Sequence, residues 1–262
     1  MSRGCRVDLH VKVLDEAVAQ RAKRRGIDVL VYAPHFRRLP EIRVEATRYS
    51  DDELLVVPAR EVFTGSFRDR KHVLAVGLTD PVPDFVTLSA AMDELARQDA
   101  AVLAPHPEFA TVSLTADDLT RYREAVHAVE VYNPKHLRSH NRRAKEVARS
   151  VGLPAFGSSY AHLRRTVGEV WTTFEDLEPD EEALVSALKS GESRRVERRN
   201  GTRHRLRCRA EFAHLIYENS ADKAYKLYAG PKATNPHHPA YGGRFDDAAV
   251  YPRFLFERAP PR

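Results

Sequence analysis

Four histidines of this chain share one local setting. His10 closes Val7-Asp8-Leu9, His35 follows the run from Val29 to Tyr32, His106 follows Ala101-Val102-Leu103, and His162 ends Phe156-Gly157-Ser158-Ser159-Tyr160-Ala161. Each stands at or just past a short apolar run rich in β-branched residues, the pattern of a buried strand. Glu61, at the end of the run from Leu54 to Arg60, and His72 belong to two further runs. Imidazole with carboxylate is the ligand chemistry of zinc, manganese, iron and nickel, and one carboxylate can bridge two ions. A single histidine at a strand end is ordinarily structural. Six ligand-type side chains at equivalent ends predict one cluster of His10, His35, Glu61, His72, His106 and His162. Elsewhere in the chain, His127, His136, His140, His204 and His214 lie in helical or polar stretches and read as surface residues.

Bringing such distant residues together requires a repeating architecture, and from residue 6 to about 174 the sequence has one. Apolar runs predict strands at 6–13, 28–33, 53–63, 72–78, 101–104, 126–132, 155–158 and 167–174. Stretches of helical period predict helices at 15–25, 88–98, 116–126, 138–151 and 180–189. Gly26 and Gly152 stand where a helix needs a left-handed residue to end, and Thr115 and Pro179 where helices begin. Strands alternating with helices predict a parallel sheet. No glycine-rich phosphate loop follows the first strand, which disfavours a doubly wound nucleotide-binding sheet. The reading is an α/β fold, a β/α barrel whose strand ends converge on one face. It occupies 1–190, and a C-terminal extension of basic strand, helix (210–226) and turn-rich tail occupies 191–262.

The pieces that carry this pattern resemble the PHP superfamily, the polymerase and histidinol phosphatase domain. They stand in the family's order: Val-Asp-Leu-His-Val-Lys at 7–12, Asp-Val-Leu-Val-Tyr-Ala-Pro-His at 28–35, Pro-Ala-Arg-Glu-Val at 58–62, His-Val-Leu-Ala-Val-Gly at 72–77, Ala-Pro-His-Pro at 104–107, Val-Glu-Val-Tyr-Asn at 129–133 and Gly-Ser-Ser-Tyr-Ala-His at 157–162. The resemblance spans roughly residues 5–175. It implies a distorted seven-stranded, TIM-like barrel, an active-site cluster of up to three divalent ions, and hydrolysis of phosphoesters ranging from small molecules to nucleic-acid ends. The chain also departs from the family. Lys12 stands where the opening motif has its second histidine, Pro34 where the second motif has an aspartate, and Tyr160 where the closing motif has an aspartate. The acidic ligand that follows the first motif has only Asp15 and Glu16 as counterparts. The resemblance therefore implies a reduced site of one or two ions, zinc, manganese or iron. Glu61, His72 and His106 match the ligands of one ion. His35 and His162 remain for a weaker second. Lys12, paired with Glu61, and Tyr160 take the place of a third and join the catalytic machinery. Arg37, Arg38, Arg164 and Arg165, in the loops after two of these strands, are candidates to clamp a phosphate.

Composition bounds the partners. The 262 residues carry 42 Lys and Arg against 37 Asp and Glu, and apolar residues make up 42% of the chain, as in a globular protein with a real core. Between Glu192 and Arg209 stand eight arginines and two glutamates, so the excess positive charge belongs to that one segment. Alternation of arginine with other residues there predicts an extended strand with a solvated basic face. The segment Arg194–Arg209 is also a candidate contact for nucleic acid. No apolar run is long enough for a membrane span. Cys5 and Cys208 form no disulfide framework, and with no secretory leader the expected compartment is the cytoplasm. Two functions are open: a metal-dependent phosphoesterase acting on a phosphorylated small molecule or nucleic-acid end, or a catalytically impaired relative that binds nucleic acid or another phosphorylated partner.

Overall fold

The computed structural model describes residues 3–66, 69–109, 112–217 and 233–250. The eight apolar runs form strands β1 (Cys5–Val11), β2 (Val29–Tyr32), β3 (Leu55–Gly65), β4 (Arg70–Val76), β5 (Ala101–Ala104), β6 (Ala128–Tyr132), β7 (Ala155–Gly157) and β8 (Val170–Phe174), and the start of the basic segment forms β9 (Arg194–Arg198). Helices α1 (Glu16–Arg25), α2 (Leu39–Tyr49), α3 (Leu88–Arg97), α4 (Ala116–Arg121), α5 (Arg138–Val151), α6 (Glu181–Ser190) and α7 (Gly201–Tyr217) lie between or after them. Three of the four predicted ends hold, while at α6 the side chain of Asp180, not Pro179, caps the helix. Gly26 and Gly152 cap α1 and α5 with φ of 70° and 65°. Thr115 caps α4 in a capping box with Asp118. Helix α2 has no counterpart in the sequence reading. It begins with Pro40 in its first turn, a position that suits a residue without an N–H, and buries Leu39, Ile42 and Ala46.

One sheet holds all nine strands in the order β7-β6-β5-β4-β3-β2-β1-β8-β9. The expected seven parallel strands are thus corrected to nine, of mixed direction. Strands β1, β2 and β3 are parallel, β4 runs against both β3 and β5, and β8 runs against both β1 and β9. The reversal of β4 has a simple cause: only four residues separate it from β3, enough for a hairpin and too few for a parallel crossover.

The sheet curls until its ends nearly meet. Past β7 the chain returns to β1, where Ala161 bridges Val11 and its carbonyl accepts from the Lys12 N–H at 2.9 Å. Lower down, β7 meets β8 through a side chain: Thr172 Oγ1 donates to the Gly157 carbonyl and accepts from the Gly157 N–H, both at 3.0 Å. The approach is close enough that a Cβ on Gly157 would lie 2.4 Å from Val196, so only glycine fits. Val7, Leu9, Val31, Val57, Ala59, Leu74 and Leu103 share one buried cluster with Leu184 and Leu188 of α6, and two other clusters seat the remaining helices. The tail from 233 to 250 joins the body as well. Tyr241 and Phe245 are buried with α3, and Thr87 N–H donates to the Ala248 carbonyl at 3.0 Å.

The basic segment is corrected. Only Arg194–Arg198 is extended. From Gly201 the chain is helical, because arginine and leucine are strong helix formers and the arginine alternation is matched by a helical spacing of inward residues. His204 and Arg207 of α7 both reach the buried Glu169. His204 is therefore a core residue, not a surface one. Among the described residues, no helix is long and apolar enough to cross a membrane.

Candidate metal centre

Strand geometry delivers the ligand-type residues to one rim. In β3, Val57, Ala59 and Glu61 alternate on the inner face, and in β4 His72, Leu74 and Val76 do the same. Because β4 is reversed, His72 at its start lies beside the far end of β3, where Phe63 is its register partner. His10 needs a further device. Leu9 already faces the interior, and strict alternation would turn His10 away. The register of β1 on β2 slips between Asp8 and Val11, a bulge that re-aims the side chain.

Glu61 is the hub. Its side chain is wholly buried, and its two oxygens face different company. Oε1 lies 3.1 Å from His106 Nε2, 3.3 Å from His72 Nδ1 and 3.8 Å from His10 Nε2. Oε2 accepts from Lys12 Nζ at 2.6 Å and lies 2.8 Å from His35 Nε2. The ligand atoms of Glu61, His72 and His106 all fall within 4.8 Å of one another. Tetrahedral ligands on bonds of 2.0–2.1 Å stand roughly 3.3 Å apart, so these residues suit a single divalent ion as they stand.

His106 is held in place around its ring. Ser113 Oγ donates toward the carbonyls of His106 and Phe109, at 2.6 and 2.9 Å, and lies 3.0 Å from His106 Nδ1, while Nε2 faces Glu61 Oε1 at 3.1 Å.

Burial sets the charge states around the hub. It holds His10 and His162 well below the usual imidazole range and His35 down at about 3, with the Lys12 ammonium acting in the same direction, so these rings are neutral. Burial would raise Glu61, but Lys12 above all, with His72 and His10, outweighs it and holds the carboxyl well below its usual range. Burial also lowers Lys12 to about 8 against the pull of Glu61. The backbone here is strained. His106 and Tyr160 take φ of 36° and 43°, left-handed values that non-glycine residues adopt at a cost and that cluster at functional sites.

A family model described as PHP-associated matches residues 138–193, which run from α5 through β7, β8 and α6 to the start of β9. No curated protein matches the chain in sequence. Among solved structures, it is similar to PsfC from Pseudomonas syringae PB-5123, at 19% identity and a TM-score of 0.60, covering 84% of this chain and 99% of that one. It is also similar to a lesion-specific endonuclease Q from Pyrococcus furiosus, at 15% identity and a TM-score of 0.53, covering 73% of this chain and 57% of that one. Endonuclease Q solved with a 27-mer duplex bearing an abasic lesion aligns at 14% identity and a TM-score of 0.50, with 72% and 57% covered. The chain thus spans little more than half of endonuclease Q. With the seven motifs in order on one nearly closed sheet, the PHP-associated model over residues 138–193 supports a PHP-superfamily domain.

Within the bowl the six expected residues do not all meet equally. Glu61, His72 and His106 converge, and His10 and His35 flank them. His162 sits further out, its ring 5.4 Å from that of His35 and its Nδ1 3.0 Å from the Tyr160 carbonyl. The Tyr160 ring lies tilted at 4.5 Å from that of His10 and 5.7 Å from Lys12 Nζ, inside the bowl. Asp15 caps α1 and pairs with Arg164, so it is no ligand. The arginines are partly committed elsewhere: Arg37 pairs with Glu45 at 2.6 Å, Arg38 with Glu41 at 2.9 Å and Arg164 with Asp15 at 2.6 Å. Arg37, Arg164 and Arg165 line a cleft that reaches His162, whereas Arg38 does not.

Sequence reasoning missed four supports of the bowl. Asp8 accepts from Ser159 N–H at 2.8 Å and Gly168 N–H at 3.1 Å, fixing the chain that carries His162. Glu130 accepts from His106 N–H at 2.9 Å. Glu211, from α7, accepts from the N–H groups of His162 and Leu163 and from the Thr166 hydroxyl. Lys135 Nζ stands 3.6 Å from Glu211 and 4.8 Å above the Tyr160 ring. Asp8 and Glu130 interrupt apolar strands, a signal in plain view. Nothing local marks Glu211 or Lys135.

Proposed function

We propose that the protein is a metal-dependent phosphoesterase working with a reduced metal site, in which Glu61, His72 and His106 hold one zinc, manganese or iron ion. The observation that carries this is the division of labour at Glu61. One oxygen faces two histidine nitrogens at single-ion spacing, and the other is held by the Lys12 ammonium. A divalent ion supplies Lewis acidity, polarising a phosphoryl oxygen and making water nucleophilic near neutral pH. Lys12 provides a fixed positive charge in the bowl toward charge developing on the phosphoryl group. Tyr160 closes the bowl beside it and offers its ring and hydroxyl to the substrate. His10 and His35 complete the neutral wall, and His35 with His162 forms a weaker second position. Arg37, Arg164 and Arg165 meet the substrate's phosphate at the cleft, and Arg38 supports the loop that carries Arg37.

The substrate class is a phosphorylated small molecule or a nucleic-acid end. The test is a panel of phosphomonoesters and short oligonucleotides assayed with zinc, manganese and iron. Metal-dependent release of phosphate or cleavage that is lost in His106→Ala supports the reading, and turnover of nothing by metal-loaded protein contradicts it.

A second reading, an impaired relative that contacts nucleic acid through Arg194–Arg209, is favoured by the exposure of Arg195, Arg203, Arg205 and Arg209. It is weakened by arginines already engaged within the chain. Arg199 lies over Trp171 and Arg194 over Phe174, Arg207 is bound to Glu169, and the exposed Arg198 lies over Tyr132. Nucleic-acid binding that falls steeply with salt and persists without metal or turnover supports it.

A further inference from the structure

The cleft beside the bowl is built by more than the barrel. Helix α7, which lies outside the span of the family resemblance, lends it Arg203, Leu206, Arg207 and Ala210, spaced to form one helical face. The barrel loops add Val13, Leu14, Leu163 and Arg165, and His162, nearest the metal centre, also lines it. At about 1220 Å³ the cleft is larger than a small-molecule pocket of ordinary size, and a single phosphate would leave most of it empty.

Charge accounting shows what it suits. Arg37 pairs with Glu45 and Arg164 with Asp15, whereas Arg21 and Arg207 share the single carboxylate of Glu169 with Arg25, so that group remains net positive. Arg165 and Arg203 also line the cleft and form no ion pair with any described residue. Their guanidiniums therefore share the cleft with the apolar Val13, Leu14, Leu163 and Leu206, and Leu206 is 56% exposed, rare for a large apolar side chain among the described residues. Guanidinium groups over apolar contacts recognise anionic oxygens attached to an organic body.

We propose that this cleft binds a small organic ligand carrying at least two phosphate groups, with α7 supplying the phosphate contact farther from the metal centre through Arg203. The proposal deepens the phosphoesterase reading by naming its substrate class, and it rests on that reading only for the ligand's fate, not for its binding.

The test is equilibrium binding to the full chain in the presence of a chelator, which needs neither metal nor turnover. Adenosine triphosphate, adenosine monophosphate and a single-stranded 12-mer serve as probes. The triphosphate is expected to bind at least about tenfold more tightly than the monophosphate, as one added charge-assisted contact gives. Arg203→Ala should weaken triphosphate binding about tenfold and Arg203→Glu further, while Arg209→Ala, on α7 but outside the cleft, should leave it unchanged. Equal affinity of wild type and both Arg203 variants for the triphosphate overturns the proposal. So does binding of the 12-mer with none of the triphosphate, which would make the surface a nucleic-acid contact. Failure of the phosphoesterase reading shows separately, as metal-loaded protein that binds the triphosphate and turns over nothing.

Discussion

Replacing Glu169 by glutamine should destabilise the protein without touching the metal centre, and its size follows from the structure. The Glu169 side chain is 1% exposed and is shared by Arg207 at 2.6 Å, His204 at 2.9 Å, Arg25 at 3.1 Å and Arg21 at 3.2 Å. One carboxylate thus ties α7 to α1 and to the start of β8. Glutamine keeps the shape but strands three guanidiniums that have lost their counter-charge. Removing one partner of a buried ion pair costs about 3–5 kcal/mol. The lower end, about 3 kcal/mol, applies because each guanidinium keeps about a fifth of its surface in water. For a domain of this size that corresponds to a fall in Tm of about 6–12 °C. The effect must also depend on pH. Burial raises the carboxyl, but the hydrogen bond from His204 and the arginines outweigh it, so its folded pKa lies below the usual value. Stability from such a group is fully present above the unfolded pKa, about 4.3, and is lost as pH falls through the folded value. Thermal unfolding of wild type and Glu169→Gln should therefore show a gap that is constant from pH 7 to about 5 and closes at lower pH. A gap under about 2 °C at pH 7, or one that does not narrow in acid, refutes the assignment of Glu169 as the clamp.

Thr172→Val keeps volume but removes the oxygen that satisfies both the N–H and the carbonyl of Gly157. Two buried backbone groups left without partners should cost about 2–4 kcal/mol, read as a lower denaturation midpoint with unchanged slope. Replacing Lys12 by histidine and Tyr160 by aspartate together should raise bound metal above one equivalent per chain, measured by elemental analysis. An unchanged ratio would show that these two residues do not stand in for a missing ion.

Much of the site was legible because strand-end histidines follow apolar runs directly, and the alternation within β3 and β4 carries Glu61 and His72 to the same face. The sequence did not reveal that β4 is reversed, and without that reversal His72 would belong to the opposite end of the barrel. The four-residue spacing before it was the available signal. Helix α2 went unread because Arg38 offers no capping oxygen and the apolar positions of the helix are few. The arginine alternation after residue 200 imitated a strand, and only the tertiary contact of His204 and Arg207 with Glu169 explains the helix. Contributions such as Glu211 and Lys135 arise from packing between distant segments and leave no local trace.

The metal content of the protein as purified without chelator tests the central claim most directly. The geometry at Glu61 predicts about one equivalent of a transition metal in wild type, and none in folded Glu61→Gln or His106→Ala. Wild-type protein that contains no metal, and whose Tm does not rise on addition of zinc or manganese, would contradict it.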